Sequence, residues 1–196
     1  MLAVTADDPF DAAPDRPHDA RVHEASFEDI YRRHYATVWR SARRLGVGDA
    51  ELDDLVQEVF VVAHRRLPDF EGRSTIATWL FGITYRVVRD LRRSAAARAR
   101  REALATGGRP PTEPDRKLSR VQAATILDDL LATLDDEQRE VLVMAEIMHM
   151  TAPQIAELTG AKLNTVYSRL RLARRAFDAA LAQYRDRSGG ELPWMS

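Results

Sequence analysis

The sequence contains no cysteine. This absence excludes disulfide frameworks, thiolate zinc sites, iron–sulfur clusters and cysteine nucleophiles, and a cysteine-free chain fits a reducing cytoplasm. A long apolar run is missing as well, because nothing approaches the roughly 20 residues that span a bilayer. Residues 1–24 also lack the hydrophobic stretch of a signal peptide. We therefore expect a cytoplasmic protein with no membrane span of its own.

Strand patterns are lacking too, because apolar and polar residues do not alternate over any convincing length. Apolar residues recur at helical spacing instead, and 196 residues with 45% hydrophobic content leave room for two small domains. We predict an all-α fold with helical domains at residues 24–98 and 119–184, joined by a flexible linker over residues 99–118. A disordered acidic leader (1–23) and a tail without an assigned role (185–196) flank them.

Three helices are predicted in the first domain. Ser26 with Asp29 resembles a capping box for the first helix, which runs to about Leu45. Asp49 is placed to cap the second helix after a glycine-containing break. A third, long helix follows a loop and carries apolar residues at helical spacing from Ile76 onward.

The second domain carries a helix-turn-helix pattern. Asp135 can cap one of its helices, and Thr151 with Gln154 fits a capping box at the next. Gly160 permits a tight exit, and a last helix begins near Leu163. This order is typical of DNA-binding helix-turn-helix motifs, although an ordinary three-helix core with an exposed basic helix would look similar.

The net charge of −1 conceals a strong alternation along the chain. Residues 67–117 carry 6 acids and 11 bases, and residues 162–187 carry 2 acids and 7 bases. Residues 1–30 and 118–161 each carry 8 acids and 2 bases. Of the 29 basic residues 27 are Arg, whose planar fork suits phosphate and guanine edges, although codon bias would give the same composition. The positions of the arginines in the fold must therefore decide between nucleic-acid binding and codon bias.

Two helices present arginine-rich faces. On the third helix the basic residues lie three or four positions apart, so that they share one surface, which binds nucleic acid or is merely solvated. On the last helix, side chains that read the major groove project away from the apolar stripe. The face of the third helix consists of Tyr85, Arg86, Arg89, Arg92 and Arg93. The last helix projects Lys162, Asn164, Thr165, Tyr167, Ser168, Arg169, Arg171, Arg174 and Arg175.

Catalytic and metal-binding patterns find little support. The five histidines are scattered without a ligand spacing, and no phosphate-binding glycine motif or nucleophile elbow is present. Acidic residues are concentrated at the start of the second helix, where carboxylates interact favourably with the positive end of the helix dipole. That interaction or a protein-docking face explains them better than a cation site does. These acids are Asp49, Glu51, Asp53, Asp54 and Glu58. We predict no metal, no cofactor and no enzymatic activity.

Several motifs resemble those of bacterial sigma factors of the extracytoplasmic function (ECF) group. The chain resembles region 2 of that family at Asp54-Leu55-Val56-Gln57-Glu58-Val59-Phe60, Phe70-Glu71-Gly72-Arg73-Ser74 and Thr78-Trp79-Leu80. It resembles region 4 at Leu134, Gln138-Arg139-Glu140-Val141-Leu142, Ile155-Ala156-Glu157-Leu158 and the segment from Thr165 to Arg175. The resemblance covers about residues 26–182, with both sets of motifs in the family's order.

The resemblance implies a protein that binds core RNA polymerase, at the clamp coiled coil of the largest subunit and the flap of the second-largest, and directs it to promoter DNA. The first domain would open the downstream element and bind a flipped base. The helix-turn-helix would read the upstream element, and an anti-sigma factor is a further expected partner. The implied core-binding residues are Asp53, Asp54, Gln57 and Glu58. The implied DNA-binding residues are Phe70, Arg73, Ser74, Arg86, Arg89, Arg93, Lys162, Asn164, Thr165, Tyr167, Ser168, Arg169, Arg171 and Arg174.

The chain departs from the family pattern at several positions. Arg86 stands where relatives usually have Asn, and Tyr85 replaces the commoner Arg, which leaves the promoter preference open. Lys162 replaces the usual capping Ser of the last helix, a loss that Asn164 is expected to offset in part. Trp79 lies beside an apolar stripe, so we expect a core position for it rather than a stacking role.

Two other functions compete with this interpretation. A self-sufficient helix-turn-helix regulator, with the first domain as a dimerisation or partner module, would bind a symmetric DNA site tightly without polymerase. An enzyme that processes RNA or DNA with magnesium at the central acids would lose turnover when Asp53 and Asp54 are replaced.

Overall fold

The computed structural model describes residues 26–106 and 122–187, with side chains described for residues 26–101 and 125–187. The predicted acidic leader, the glycine- and proline-rich part of the linker and residues 188–196 lie outside the described residues. All regular secondary structure within the described ranges is helical, which confirms the all-α prediction.

Three helices form the first half: α1 (Phe27–Arg44), α2 (Asp49–Arg66) and α3 (Ile76–Thr106), with a 3₁₀ turn at Leu67–Asp69. Each of the three helices packs against the other two. Their apolar stripes meet in a common core, as the helical spacing predicts. The most deeply buried side chains there are Ala42, Leu45, Leu52, Val56, Val59, Ala63, Leu80 and Val88.

The starts of α1 and α2 differ in how they are capped. The Ser26 hydroxyl accepts a hydrogen bond from the Asp29 backbone N–H, as predicted. The prediction that Asp49 caps α2 is wrong, because Gly48 is the N-cap and no side chain caps this helix. The Asp49 carboxylate instead accepts a hydrogen bond of 2.7 Å from the Arg43 guanidinium, which closes the turn between the two helices.

Four helices form the second half: α4 (Gln122–Ala132), α5 (Asp136–Leu142), α6 (Ala152–Thr159) and α7 (Leu163–Arg187). A π-helical turn at Val143–Ile147 extends α5. The α5–α7 and α6–α7 contacts build the core of this half. It is filled by Leu131, Leu134, Val141, Val143, Met144, Ile155, Leu158, Val166, Leu170 and Ala173.

The predicted caps of the second half are present. The Asp135 carboxylate accepts a hydrogen bond of 2.8 Å from the Gln138 N–H, and Thr151 and Gln154 form a reciprocal capping box. Gly160 ends α6 in the left-handed conformation with a φ of +71°. These local signals place α6, the turn and α7 as the helix-turn-helix pattern requires.

Two helices extend past the predicted bounds of their domains. Helix α3 continues to Thr106, so residues 99–106, which the sequence assigned to the linker, are helical. This segment consists mainly of Ala, Arg, Glu and Leu, which have high helix propensity and no breaker among them. Helix α7 likewise runs to Arg187 and includes the first residues of the predicted tail.

The two halves contact each other directly. Helix α4 packs against α1, and buried residues from both halves belong to one connected apolar cluster. The sequence pattern predicts two domains and a linker, and it does not indicate this contact between them.

Candidate nucleic-acid interface

An acidic face lies on α2. Asp53, Asp54, Gln57 and Glu58 are exposed, whereas the apolar positions between them are buried against α1 and α3. The helical spacing puts the four polar side chains on the outer surface of α2, where a protein partner can reach them. No cluster of His, Asp or Glu suited to a metal ion occurs among the described residues.

The loop between α2 and α3 corrects one expectation. Phe70, which we expected to bind DNA, is only 4% exposed. Its ring packs against Trp79, with 5.2 Å between the ring centroids, so that neither aromatic face is open to a base. Trp79 itself is buried, as predicted. Phe70 therefore packs beneath the loop. Its ring is buried because the Trp79 indole is an apolar contact partner.

The exposed part of this loop is polar. The Arg73 side chain is exposed and forms an ion pair of 2.6 Å with Glu71. The Ser74 hydroxyl is half-buried and donates a long hydrogen bond of 3.4 Å to the carbonyl of Thr75. An exposed ion pair of this kind is worth little in stability, so Arg73 can exchange its carboxylate partner for a phosphate at low cost.

The arginine face of α3 is only partly open. Arg89 is exposed, Arg86 is half-buried, and Arg93 is exposed with an ion pair of 2.5 Å to Asp90. At the same face Tyr85 is only 2% exposed, and its hydroxyl donates a hydrogen bond to Glu140 of the second half. The residues that we assigned to DNA on α3 therefore share one surface. Another part of this surface, at Tyr85, is in contact with the second half of the chain.

The group that covers this face is Glu140 of α5. Its carboxylate accepts hydrogen bonds from the Arg92 guanidinium and, at 3.2 Å, from the Tyr85 hydroxyl. Burial and then the Glu140 charge raise the pKa of Tyr85 from 10.0 to about 12. Burial also raises the pKa of Glu140, against the attraction of Arg92. This cluster could not be predicted from the sequence, because no local signal links residues about 50 positions apart.

The start of α7 forms the second candidate surface. The Lys162 carbonyl accepts hydrogen bonds from the N–H groups of Thr165 and Val166, at 2.8 and 3.1 Å, which begins the helix. Tyr167 is 54% exposed, and its ring projects outward while Val166 is fully buried. Lys162, Asn164, Ser168 and Arg171 are also exposed, and Thr165 is half-buried.

Two arginines of α7 are held by acidic residues of the same half. Arg169 is paired with Glu137 at 2.5 Å, and Arg174 with Glu146 at 2.8 Å. These two bases face α5 and the π-helical turn that follows it, whereas Lys162 and Asn164 lie at the free N-terminal end of α7. The N-terminal end of α7 is therefore open, whereas the charges of Arg169 and Arg174 further along the helix are locally neutralised.

Within the described ranges no helix is long and apolar enough to cross a membrane.

Comparison with known proteins identifies a family region in each half of the chain. Residues 30–98 match the family described as Sigma-70 region 2, and residues 124–177 match Sigma-70, region 4. The chain is 31% identical over 170 residues to the RNA polymerase sigma factor NccH of Alcaligenes xylosoxydans xylosoxydans, an alignment that covers 83% of this chain and 90% of NccH. It is 30% identical over 166 residues to the ECF RNA polymerase sigma factor SigL of Mycobacterium tuberculosis, covering 84% of this chain and 93% of SigL.

A solved structure agrees with these matches. The structure of CnrH in complex with the cytosolic domain of CnrY aligns with a TM-score of 0.54 at 28% sequence identity. The alignment covers 84% of this chain and 94% of CnrH. The similarity therefore extends over both helical halves.

Proposed function

Since the chain belongs to the ECF group of the sigma-70 family, we propose that it binds core RNA polymerase and directs it to specific promoters. The observation that carries this proposal is the presence of both family regions, in order, on a chain that exposes an acidic helix face and two arginine-rich surfaces. The protein acts as a specificity factor, and the catalytic centre for RNA synthesis belongs to the polymerase.

Core binding is assigned to the acidic face of α2. Asp53, Asp54 and Glu58 offer three exposed carboxylates with Gln57 among them, on a helix whose opposite side is fixed in the core. A rigid acidic helix is suited to the coiled coil of the polymerase clamp if that surface is basic, because complementary charge steers docking and fixes its register. Region 4 is proposed to contact the flap of the second-largest subunit.

Opening of the downstream promoter element is assigned to the loop and to α3. Arg73 and Ser74 lie on the loop, and Arg86, Arg89 and Arg93 follow on α3. Extrusion of a base costs a few kcal/mol, which phosphate contacts and a fitted pocket offset. Phe70 is not included in this assignment, because its buried ring cannot stack on a base without unpacking from Trp79.

Recognition of the upstream element is assigned to α6 and α7. An α-helix enters the major groove with its N-terminal residues toward the base edges. Lys162, Asn164 and Tyr167 stand at that end, and Thr165, Ser168 and Arg171 follow on the same helix. Arg169 and Arg174 are assigned to phosphates, for which each must leave its carboxylate partner.

An anti-sigma factor is proposed as a further partner. The support is the solved complex of CnrH, a relative of this chain, with the cytosolic domain of CnrY. The chain offers a groove on region 4 with apolar and charged walls, in which a helix of such a protein could bind. It is lined by Leu127, Leu131, Leu142, Ile147, Arg174 and Phe177.

Run-off transcription with purified core polymerase, over the promoters of the source genome, tests the function. Addition of the protein is expected to produce new specific transcripts, and unchanged initiation at every promoter would contradict the proposal. A variant with Asp53→Ala and Asp54→Ala is expected to lose core binding in a pull-down assay. Glu28→Gln removes an exposed charge from α1 and serves as the matched control.

Gel-shift assays separate this function from that of an independent regulator. Specific DNA binding is expected only with core polymerase present. Tight binding to a symmetric site by the protein alone would favour the helix-turn-helix regulator instead.

A further inference from the structure

The distal part of α3 is an exposed helix rich in arginine. The match to Sigma-70 region 2 ends at residue 98, whereas α3 continues to Thr106. From Arg93 to Arg101 every side chain is exposed or half-buried, and none belongs to the apolar core. A helical segment of this length is only marginally stable in water without packing. A binding partner on its surface would therefore stabilise it.

Arg100 continues the series of arginines that we assigned to DNA on α3. The assigned residues Arg86, Arg89 and Arg93 lie three and four positions apart. Arg100 follows seven positions after Arg93. Seven residues rotate an α-helix by nearly two turns, so Arg100 returns to within about 20° of the direction of Arg93. We call Arg86, Arg89, Arg93 and Arg100 the arginine row.

Two neighbouring arginines lie off the arginine row. Arg98 precedes Arg100 by two residues, a rotation of about 200°, so it lies on the opposite side of the helix. Arg101 is about 100° from Arg100, and its Nε donates a hydrogen bond of 3.2 Å to the Ala97 carbonyl. Arg98 and Arg100 are both exposed. They therefore form a matched pair of one residue type on two sides of the same helix.

The distal end of the arginine row is poorly neutralised by the chain itself. Residues 86–101 contain seven arginines and one acid, Asp90. Asp90 pairs with Arg93 at 2.5 Å, and an exposed pair of this kind is worth little in stability. Among the side chains that the structure describes, Arg100 forms no ion pair. This end of the row therefore presents positive charge that an anionic partner can bind.

Duplex DNA fits the arginine row in length and in charge. At a rise of about 1.5 Å per residue, the row extends roughly 21 Å along the helix axis from Arg86 to Arg100. One strand of a duplex carries a phosphate about every 3.4 Å of its axis, so a row of this length spans roughly six phosphates. Between Arg93 and Arg100, residues 95–97 are exposed alanines. Because their side chains are single methyl groups, a sugar–phosphate backbone can approach the helix closely.

We propose that Arg100 binds a backbone phosphate of the paired DNA beside the melted promoter element, and so extends the DNA-binding surface of region 2 beyond the family match. This contact rests on the function proposed above. The loop assigned to opening precedes α3, and Arg100 lies roughly 36 Å along the helix from Ile76. The DNA along the distal end of the row is therefore the part that stays paired.

The direction of the chain identifies this duplex. Helix α3 leads from the opening loop toward region 4, to which we assigned the upstream element. The duplex at Arg100 is therefore the segment between the two promoter elements. Because a phosphate contact carries no sequence information, Arg100 adds affinity for every promoter rather than preference for one.

The salt dependence of promoter binding tests Arg100. Holoenzyme is assembled from core polymerase and the full chain, and its affinity for a promoter found by run-off transcription is measured by fluorescence anisotropy over a range of salt. Arg100→Ala is expected to weaken binding about fivefold at low salt, the worth of one exposed ion pair. It is also expected to reduce the slope of log affinity against log salt by about one, since one phosphate contact is lost.

Arg98→Ala is the matched control. It removes the same charge from the opposite side of the helix, so its affinity and salt slope are expected to match those of the parent chain. Alanine has the highest helix propensity, so neither substitution weakens α3, and circular dichroism checks the helix content. Arg100→Lys keeps the charge and is expected to retain most of the salt slope.

Neutral methylphosphonate linkages identify the phosphate. Each linkage in the segment between the two elements is replaced in turn, which removes one charge from the DNA backbone. One replacement is expected to weaken binding by the parent chain and to leave Arg100→Ala unaffected, because losses at the two partners of one contact are not additive. Identical effects of every replacement on both chains would contradict the contact.

Equal losses in Arg98→Ala and Arg100→Ala would show a general charge effect and overturn the inference. The parent's affinity and salt slope in Arg100→Ala would overturn it as well. A loss of core binding by Arg100→Ala in a pull-down assay would assign the residue to the polymerase instead of DNA. A parent chain that directs no transcription contradicts the proposed function itself, and run-off transcription detects this before any variant is compared.

Discussion

Arg139 of α5 fills the space beside Gly46, which turns the chain from α1 toward α2. A Cβ built on Gly46 would lie 1.9 Å from the Nη1 atom of Arg139. Gly46 also has a φ of +94°, a conformation that residues with a side chain rarely adopt. A glycine of region 2 is thus required both by its own backbone and by a buried arginine of region 4.

Gly46→Ala is expected to disturb the contact between the regions. Replacement of a glycine at positive φ costs about 1–2 kcal/mol by itself. Gly160→Ala measures this cost, because a Cβ at position 160 would have open space around it. At position 46 the guanidinium must also move, so we expect a loss at least about 2 kcal/mol larger. Urea unfolding compares the two variants, and equal losses would contradict the steric argument.

Arg139→Ala is expected to destabilise region 4. Arg139 is 4% exposed and donates hydrogen bonds to the carbonyls of Leu131 at 2.8 Å and Leu134 at 2.9 Å, at the end of α4. Buried carbonyls that lose their donors cost about 1–3 kcal/mol each, so we expect a loss of about 3 kcal/mol or more in unfolding free energy. Arg139→Lys should recover only a part, because an ammonium cannot span both carbonyls in the geometry of the guanidinium.

Tyr85 is expected to titrate later than an ordinary tyrosine. Its pKa is raised to about 12 by burial and by the Glu140 charge. The unfolded chain loses this proton near pH 10, whereas the folded chain holds it to about 12. The contribution of Tyr85 to stability is therefore fully present below pH 10 and lost as the pH rises to about 12, a decrease of about 3 kcal/mol.

Tyrosinate absorbance against pH measures this titration. The late component is expected to disappear in Tyr85→Phe and to move to lower pH in Glu140→Gln. A late component that persists in Tyr85→Phe would assign the shift to another tyrosine.

Glu137→Gln and Glu146→Gln are expected to strengthen DNA binding by region 4. Each substitution frees an arginine, Arg169 or Arg174, that the carboxylate now neutralises. Exposed ion pairs are worth up to about 1 kcal/mol, so an increase of about two- to fivefold in affinity is expected, largest at low salt. Fluorescence anisotropy with duplex DNA at low salt measures this non-specific binding. Asp186→Asn, at the far end of α7, is the control, and an equal increase there would show a general charge effect.

Local chemistry allowed much of the fold to be predicted from the sequence. Ser26, Asp135 and Thr151 cap helices where their side chains suggested, since a cap depends on residues three positions apart. Helical spacing also separated the buried stripe of α2 from its exposed acids. The all-α architecture and the two family regions follow from signals of this short range.

Phe70 shows where local signals are insufficient. The loop motif identified Phe70 but not its partner, and burial against Trp79 is decided by how α3 docks.

By itself the sequence determined the helices, their caps and the two surfaces rich in arginine, because each depends on residues within about one or two turns of helix. Only the tertiary structure decided which of those arginines are open. Arg92 is held by Glu140, while Arg89, on the same face, remains exposed. The physical reason is that charge pairing between distant segments depends on their relative placement, and the spacing of residues along one helix does not contain that placement.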